Sequence, residues 1–213
     1  MKKIILLFFI ITSILVINAA KNDNPSNKRA VIIIAPKDFR DEELFIPKEV
    51  LEKHNFKVDV ASIEKGTAIG MLGGKYKVSK LISELKIKDY EIILIAGGAG
   101  SPKYLWNNHT LLKFIKKAHK AKKIIGAICL SPAVLAEAGL LKGKKATIFP
   151  AKIAIKELKK YGATYVKSGV VISSSQIITA SSPAYAEEYA LKAIELLKEK
   201  SSNDTPKKSK GKK

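Results

Sequence analysis

The sequence predicts an α/β protein with an open, mostly parallel sheet and helices on both faces. Short, fully apolar stretches suited to buried strands recur at residues 30–35, 92–96 and 124–128. Amphipathic stretches of helical length alternate with them, and turns rich in glycine or proline separate the two kinds. Strands that are covered on both faces read as continuous apolar runs, so this order indicates one domain with a doubly covered sheet.

The individual elements follow from local patterns and from the residues that end them. The stretch 109–120 is amphipathic with a helical period, and Gly139 and Gly162 are suited to end the two helices that follow it. Ser182 and Pro183 fit the N-cap and the first position of a last helix. The predicted elements are a strand at 30–35, a helix at 42–54, strands at 57–61 and 92–96, a helix at 109–120, a strand ending at 128, helices from 132 and at 153–161, a hairpin of 170–172 with 176–179, and a helix from 183.

The two ends of the chain differ in composition from this domain. Residues 1–20 combine a basic start, an apolar run and a small-residue end, which is the pattern of a secretory signal peptide. We therefore expect export to a periplasm or to the exterior, with an uncleaved N-terminal membrane anchor as the alternative. Residues 21–27 are predicted to be a linker, 28–200 the folded domain and 201–213 a disordered basic tail.

The formal net charge of +20 comes from 39 Lys and Arg residues against 19 Asp and Glu residues. A basic chain can bind nucleic acid, but these lysines are spread along predicted helices and no aromatic residues interleave with them. We interpret the charge as a solvated surface with no specific nucleic-acid partner, whose tail contacts anionic surfaces weakly. No cluster of His and Cys has the spacing of metal ligands, so no metal site is predicted.

Cys129 is the only cysteine, and it follows an apolar strand directly. A helix is predicted to begin at or near Pro132, so the thiol stands on a strand-turn-helix layout like a nucleophile elbow. The N-terminus of that helix is expected to lower the thiol pKa. The spacing alone leaves two interpretations open, a reactive thiol and a buried, inert one.

The loops at the carboxyl ends of the predicted strands resemble those of the DJ-1/PfpI family of the class I glutamine amidotransferase-like superfamily. The resemblance runs from about Arg29 to Leu197 and implies a flavodoxin-like three-layer sandwich. The matching residues are Glu43 four before Pro47, Gly97-Gly98 after a buried strand, Ala127-Ile128-Cys129 before Ser131-Pro132, and Thr147 three before Pro150.

This resemblance implies that Glu43 lies beside Cys129 as a protonated carboxyl that donates to the thiolate and acts as general acid or base. The amides of Gly98 and Leu130 would be oxyanion donors, and Gly97 would line the site. Without the resemblance, Glu43 reads as a solvated residue of a first helical turn and the glycines as a tight turn. No cofactor is implied.

Two positions depart from the family pattern. Leu130 stands where peptidase-like members carry a histidine, so the chain has no adjacent Cys-His pair for peptide hydrolysis. Phe149 stands where the human protein that gives the family its name has a histidine, which makes this part of the site more apolar. His54, His109 and His119 are interpreted as surface or packing residues.

The resemblance implies a cysteine-dependent protein of oxidative or carbonyl stress, and it leaves three hypotheses. The first is cofactor-independent glyoxalase or deglycase chemistry on a small reactive carbonyl. The second is an oxidation sensor or holdase without turnover, for which the partner is an oxidant. The third, a cysteine peptidase, is disfavoured by Leu130. Family members usually dimerise, so a homodimer is expected.

Overall fold

A computed structural model describes residues 28–203, and its centre is one seven-stranded sheet. The predicted signal peptide, the linker and residues 204–213 of the predicted tail lie outside the described residues. Six strands run parallel and the hairpin strand at one edge runs antiparallel. In spatial order the strands are β11 (Val170–Ser174), β12 (Ile177–Ala180), β8 (Ile124–Ile128), β7 (Ile92–Ile95), β1 (Arg29–Ile33), β3 (Lys57–Ser62) and β6 (Lys80–Leu81).

Helices cover both faces of this sheet, which confirms the predicted fold class. On one face, the first and last helices pack against each other, and the other face carries three more helices. The first layer holds α1 (Asp41–Lys53) and α6 (Ala186–Asn203), and the second holds α3 (His109–Lys120), α4 (Pro132–Glu137) and α5 (Lys152–Lys160). The short α2 (Ser101–Tyr104) follows β7, and 3₁₀ turns lie at Ile82–Glu84, Ile87–Asp89 and Pro183–Tyr185.

The register of the two central strands positions the site. β7 and β8 are almost wholly aliphatic and buried, because both faces of the sheet are covered. Ile95 of β7 pairs with Ala127 of β8. Gly97 and Cys129, each two residues further along, therefore come side by side beyond the carboxyl ends of the strands, where open α/β sheets bind ligands.

Two small sheets were absent from the sequence prediction. A three-stranded sheet contains β2 (Lys37–Phe39), β4 (Gly66–Gly70) and β5 (Lys75–Val78), and a two-stranded one contains β9 (Lys145–Ala146) and β10 (Thr164–Tyr165). These strands are short and have no continuous apolar run. The buried carboxylate of Asp41 ties the β4–β5 turn to α1, because it accepts bonds of 2.7 Å from the amides of Leu72 and Gly74.

The last helix differs from its prediction at both ends. Ser182 forms no side-chain capping bond, and Pro183 opens a 3₁₀ turn before α6 begins at Ala186. α6 continues to Asn203, three residues beyond the predicted end of the domain. Within residues 28–203, no helix has both the length and the apolar character needed to cross a membrane.

Candidate active site

Cys129 stands on a sharp turn between β8 and α4. Its φ of 60° lies in the left-handed region, which is rarely occupied by a residue with a side chain and persists only where the surroundings hold it. Two backbone bonds hold it here. The Cys129 amide donates to the Ala180 carbonyl at 2.9 Å, and the Cys129 carbonyl accepts from the Phe149 amide at 2.8 Å. The predicted elbow geometry is therefore present.

Side chains that sequence reasoning missed brace the residues after the thiol. The buried Ser131 hydroxyl donates to the Ala96 carbonyl at 2.7 Å and lies 2.8 Å from the Ser101 hydroxyl. Trp106 Nε1 donates to the Leu130 carbonyl at 3.0 Å. These bonds connect the turn after Cys129 to the loop after β7. Ser131 had been interpreted only as a helix start, and nothing in the sequence pairs it with Ser101.

Gly97 and Gly98 are required by two different constraints. A Cβ on Gly97 would stand 2.7 Å from Cys129 Cβ and 2.9 Å from Glu43 Oε2, so a side chain there would occupy the site. Gly98 has a φ of 95°, and a Cβ on it would overlap the backbone of Asp38 and Arg40. The two glycines therefore do more than form a tight turn, because they leave space for the side chains of the site and for the neighbouring backbone.

Glu43 is buried in the first turn of α1, with 1% of its surface exposed. Its Oε2 accepts from the Gly97 amide at 2.7 Å. Its Oε1 is buried without a hydrogen bond of ordinary geometry in residues 28–203, although the carboxyl lies close enough to the Cys129 thiol for each to affect the other's pKa. Burial raises the pKa of Glu43 to about 7, so the carboxyl takes up a proton near neutrality. The alternative of a solvated glutamate does not hold.

The thiol pKa moves in the direction opposite to the one predicted from the following helix. Burial, with the charge of Glu43 as the second cause, raises the pKa of Cys129 to about 12. α4 has only six residues, and its dipole does not outweigh the loss of hydration. The amides of Gly98 and Leu130 act the other way and lower the pKa of the thiol.

The thiol and the carboxyl together form a site that disfavours two negative charges at once. Two adjacent buried anions repel each other, so ionisation of one group opposes ionisation of the other. Backbone hydrogen-bond donors are present for a negative charge on either group. The Gly97 amide stabilises a charge on Glu43, and the amides of Gly98 and Leu130 stabilise a charge on sulfur. A proton can therefore move between sulfur and carboxyl without leaving the site.

Arg40 is a further charged residue near the pair, and sequence reasoning missed it. Its guanidinium is held by Glu42 through two bonds of 2.8 and 2.9 Å. Its positive charge also acts on Glu43 and Cys129, and all three acidic groups raise the pKa of Arg40. The only feature of the sequence that could have placed Arg40 near the site is its position directly before the helix that contains Glu43.

Phe149 borders the elbow through its amide and exposes 40% of its surface. It lines an open cavity of about 540 Å³ together with Tyr165 at the end of β10 and residues from the segments that follow β10 and β12, including Lys167, Ser182 and Tyr185. The predicted apolar side chain therefore stands at the edge of a cavity of a size that small ligands occupy.

The histidines lie on α3 or directly after α1, and none of them directly follows Cys129. His54 follows the C-terminal end of α1, about 16 Å along the helix from Glu43 at 1.5 Å per residue. His109 and His119 stand at the two ends of α3. Among residues 28–203, no group of three or more His, Cys, Asp and Glu side chains is arranged to hold a metal ion.

The fold and this geometry define a three-layer α/β protein with a cysteine on a nucleophile elbow beside a buried carboxyl group. The family model of the DJ-1/PfpI family matches residues 28–196, and the chain belongs to that family. The resemblance drawn from the sequence motifs is thereby confirmed.

The relatives of this chain include proteins with and without an assigned activity. An uncharacterized protein of Methanocaldococcus jannaschii is 47% identical over 91% of this chain and 95% of its own length. A deglycase of Pyrococcus horikoshii is 28% identical over 75% of this chain and 93% of its own length. A glutathione-independent glyoxalase of Caenorhabditis elegans is 28% identical over 81% of this chain and 90% of its own length. The solved structure of a ThiJ/PfpI domain protein from Brachyspira murdochii superposes with a TM-score of 0.76 at 25% identity, covering 80% of this chain and 96% of that one.

Proposed function

We propose that this chain converts small reactive carbonyl compounds by glyoxalase- or deglycase-type chemistry through Cys129 and Glu43. One observation carries the proposal. A carboxyl group whose pKa is raised to about 7 is buried beside the thiol, so it can give and take a proton near neutral pH. The names of the deglycase and glyoxalase relatives support the same substrate class.

The reaction with a 2-oxoaldehyde begins with attack of Cys129 Sγ on the aldehyde carbon. A C–S bond forms, and the thiol proton passes through Glu43 to the former carbonyl oxygen, which gives a hemithioacetal. The amides of Gly98 and Leu130 stabilise the negative charge while it is on sulfur or oxygen.

The second stage moves one hydrogen between the two carbons of the substrate. The Glu43 carboxylate removes the proton from the carbon bonded to sulfur and returns a proton to the neighbouring carbon. The hydroxyl proton on the first carbon passes to the ketone oxygen of its neighbour, so the first oxygen becomes the carbonyl and the second the hydroxyl. The product is a thioester of a 2-hydroxy acid. Water then adds, the C–S bond breaks and the thiol is restored. One carbon is oxidised and its neighbour reduced within the same molecule, so the reaction consumes only water.

The test is loss of methylglyoxal with formation of lactate by the purified chain. Cys129→Ser is expected to abolish lactate formation, since the C–S bond cannot form. Glu43→Gln is expected to lower kcat/KM by about 100-fold or more, the usual contribution of a general acid or base. Glu49→Gln, an exposed position on the same helix, is the matched control and should retain the native rate. Equal rates for the chain and for Cys129→Ser would refute the proposal.

Oxidation sensing is the second candidate, and the same geometry favours it. The protonated Glu43 and the two amides could hold a sulfinate oxygen after oxidation, and the chain has no second cysteine to form a disulfide. Intact mass after mild peroxide treatment measures it. A stable gain of two oxygen atoms in the native chain but not in Cys129→Ser is expected, and no such gain would remove this candidate.

We further propose that the chain forms a homodimer through an exposed apolar cluster beside the site. Phe45 on α1 lies near the β4–β5 turn, which exposes Met71 and Leu72, and the amide of Ala99 donates to Met71 Sδ at 3.3 Å. A second copy on this cluster would therefore flank the loop that carries Gly98. Light scattering should give a dimer for the native chain and a monomer for Leu72→Asp, and a monomeric native chain would contradict the proposal.

A further inference from the structure

The two helical layers carry opposite charge. α3, α4 and α5 together contain eight lysines and two glutamates. α1 and α6, on the other side of the sheet, contain nine acidic residues and five lysines. The sequence indicates only a lysine-rich surface, whereas the fold places helices with an excess of lysine on one side of the sheet and helices with an excess of acidic residues on the other.

The eight lysines of α3 and α5 are all exposed, and we call them the basic face. Seven of them form no ion pair within residues 28–203, and the exception is Lys160, which lies 3.0 Å from Glu157. By contrast, three of the five lysines on the acidic side pair with a glutamate of their own helix. The members of the basic face are Lys113, Lys116, Lys117, Lys120, Lys152, Lys156, Lys159 and Lys160.

Further positive charge lies at the edge of this face. Burial lowers the pKa of His119, and the charge of Lys144 lowers it further, so Lys144 lies close to this end of α3. Lys200 near the end of α6 donates to the carbonyl of Lys122, so the last described helix ends beside the C-terminal end of α3. The residues beyond it, 204–213, contain five more lysines and one aspartate. The chain thus leaves the described domain next to the basic face and continues as a basic segment.

We propose that the basic face binds the anionic surface of a lipid bilayer. An apolar side chain within the face favours a bilayer over other polyanions. Ile153 follows Lys152 on α5 and exposes 70% of its surface, more than any other large apolar side chain among the described residues. Lysines attract anionic headgroups, and an adjacent apolar side chain gains by entering the interface between headgroups and acyl chains.

The sequence provides a second reason for choosing a bilayer. The apolar run from Ile4 to Ile17, predicted as a signal peptide or an anchor, brings the chain to a membrane in either case. A duplex nucleic acid would use the lysines but would leave Ile153 exposed at the phosphates. Among the described residues, the one aromatic ring that contacts a lysine of the basic face, the half-buried Tyr161, is covered by the Lys160 ammonium at 4.8 Å, so it offers no open ring on which the bases of a single strand could stack.

The experiment is co-sedimentation of the full chain with two kinds of vesicle, one of phosphatidylcholine alone and one containing about one third phosphatidylglycerol. The ratio of the two affinities is the readout, because the apolar N-terminal run contributes to binding of both. Lys113, Lys116, Lys117 and Lys120 are changed together to Gln. Lys48, Lys53, Lys192 and Lys198 of the acidic side, changed together to Gln, form the matched control. Ile153→Gln tests the apolar contact.

The native chain is expected to favour anionic vesicles, and raised salt should weaken this preference. At about fivefold per lysine, the variant of α3 should lose on the order of 100-fold or more of that preference, whereas the control loses far less. Ile153→Gln should weaken vesicle binding and leave binding to duplex DNA unchanged.

Four results would overturn the proposal. The native chain could show no preference for anionic vesicles. The α3 variant and its control could lose the preference equally, which would make the effect one of net charge rather than of this face. The chain could bind duplex DNA at a salt concentration at which it does not bind vesicles, which would exclude a bilayer as the preferred partner. It could also bind vesicles equally well with Ile153→Gln, which would remove the apolar contact that distinguishes a bilayer from other polyanions.

Discussion

The site around Cys129 and the basic face handle charge in opposite ways. Three consecutive acidic residues begin α1, and each has its own partner: Asp41 holds the β4–β5 turn, Glu42 holds Arg40, and Glu43 accepts from Gly97 beside the thiol. On the basic face, seven of eight lysines lack an ion pair within the described residues. Each charge at the site therefore acts through its own contacts and its burial. On the basic face, the combined charge of many exposed lysines acts on a partner. Between these two regions, single substitutions should change the stability of the fold only in the first.

The largest effect on folding should come from Gly97→Val. Its added carbons would lie where Cys129 Cβ and Glu43 Oε2 already stand, and the two strands that carry the neighbouring loops cannot move apart without opening the sheet. We expect a loss of more than about 3 kcal/mol in the free energy of unfolding, measured in urea. Ala99→Val, an exposed position in the same loop, is the control and should remain near the native value. A stable Gly97→Val chain would show that the site is looser than its contacts indicate.

The buried carboxyl should make stability depend on pH. The pKa of Glu43 is about 7 in the folded chain and 4.5 in its ordinary environment, so the folded state binds its proton more tightly. Its contribution to stability is thus fully present below pH 4.5 and is lost as the pH rises through 7. The loss should be on the order of 3 kcal/mol.

This prediction is measured as the difference between the unfolding free energies of the native chain and Glu43→Gln from pH 4.5 to pH 8. Because the amide cannot ionise, the native chain should lose stability relative to the variant across that window. The same comparison with Glu49→Gln should show no loss in this window, because the ion pair with Lys53 lowers the pKa of that exposed carboxyl and its ionisation therefore favours the folded state. Parallel curves for the native chain and Glu43→Gln would mean that Glu43 is not held in its protonated form by burial.

A smaller loss is expected for Ser131→Ala. The substitution removes the bond to the Ala96 carbonyl and the contact with the Ser101 hydroxyl, and it leaves both groups buried. An unsatisfied buried polar group costs about 2 kcal/mol, so urea unfolding should show a loss of that order. Ser175→Ala, an exposed serine in the hairpin, is the control. A loss no greater than that of the control would show that the bonds of Ser131 do not support the elbow.

The fold and the elbow could be predicted from the sequence more fully than the electrostatics of the site. Apolar runs and Pro132 are local signals, so the strand, the turn at Cys129 and the helix start could be predicted from them. Glu43 lies on another element, and only the family motif connected it with the thiol. The direction of the thiol pKa was wrong because burial is a property of the assembled layers. The β4–β5 hairpin was missed because its strands carry no apolar run, and its tie to Asp41 is a tertiary contact.

The smallest effect on stability should come from a change to a single lysine of the basic face. This prediction tests most directly the difference between the basic face and residues that are paired in the fold. Lys116 is exposed and forms no ion pair in the described part of the chain, so Lys116→Gln should leave the midpoint of urea unfolding unchanged. Lys80 is the informative counterpart, since it lies 3.0 Å from Asp59, a largely buried carboxylate that also accepts from Arg29 and Tyr90. Lys80→Gln should lower the midpoint, because a buried anion loses one of its partners. A fall of equal size for both variants would mean that the unpaired lysines are part of the fold, and that the basic face is not a surface left free for a partner.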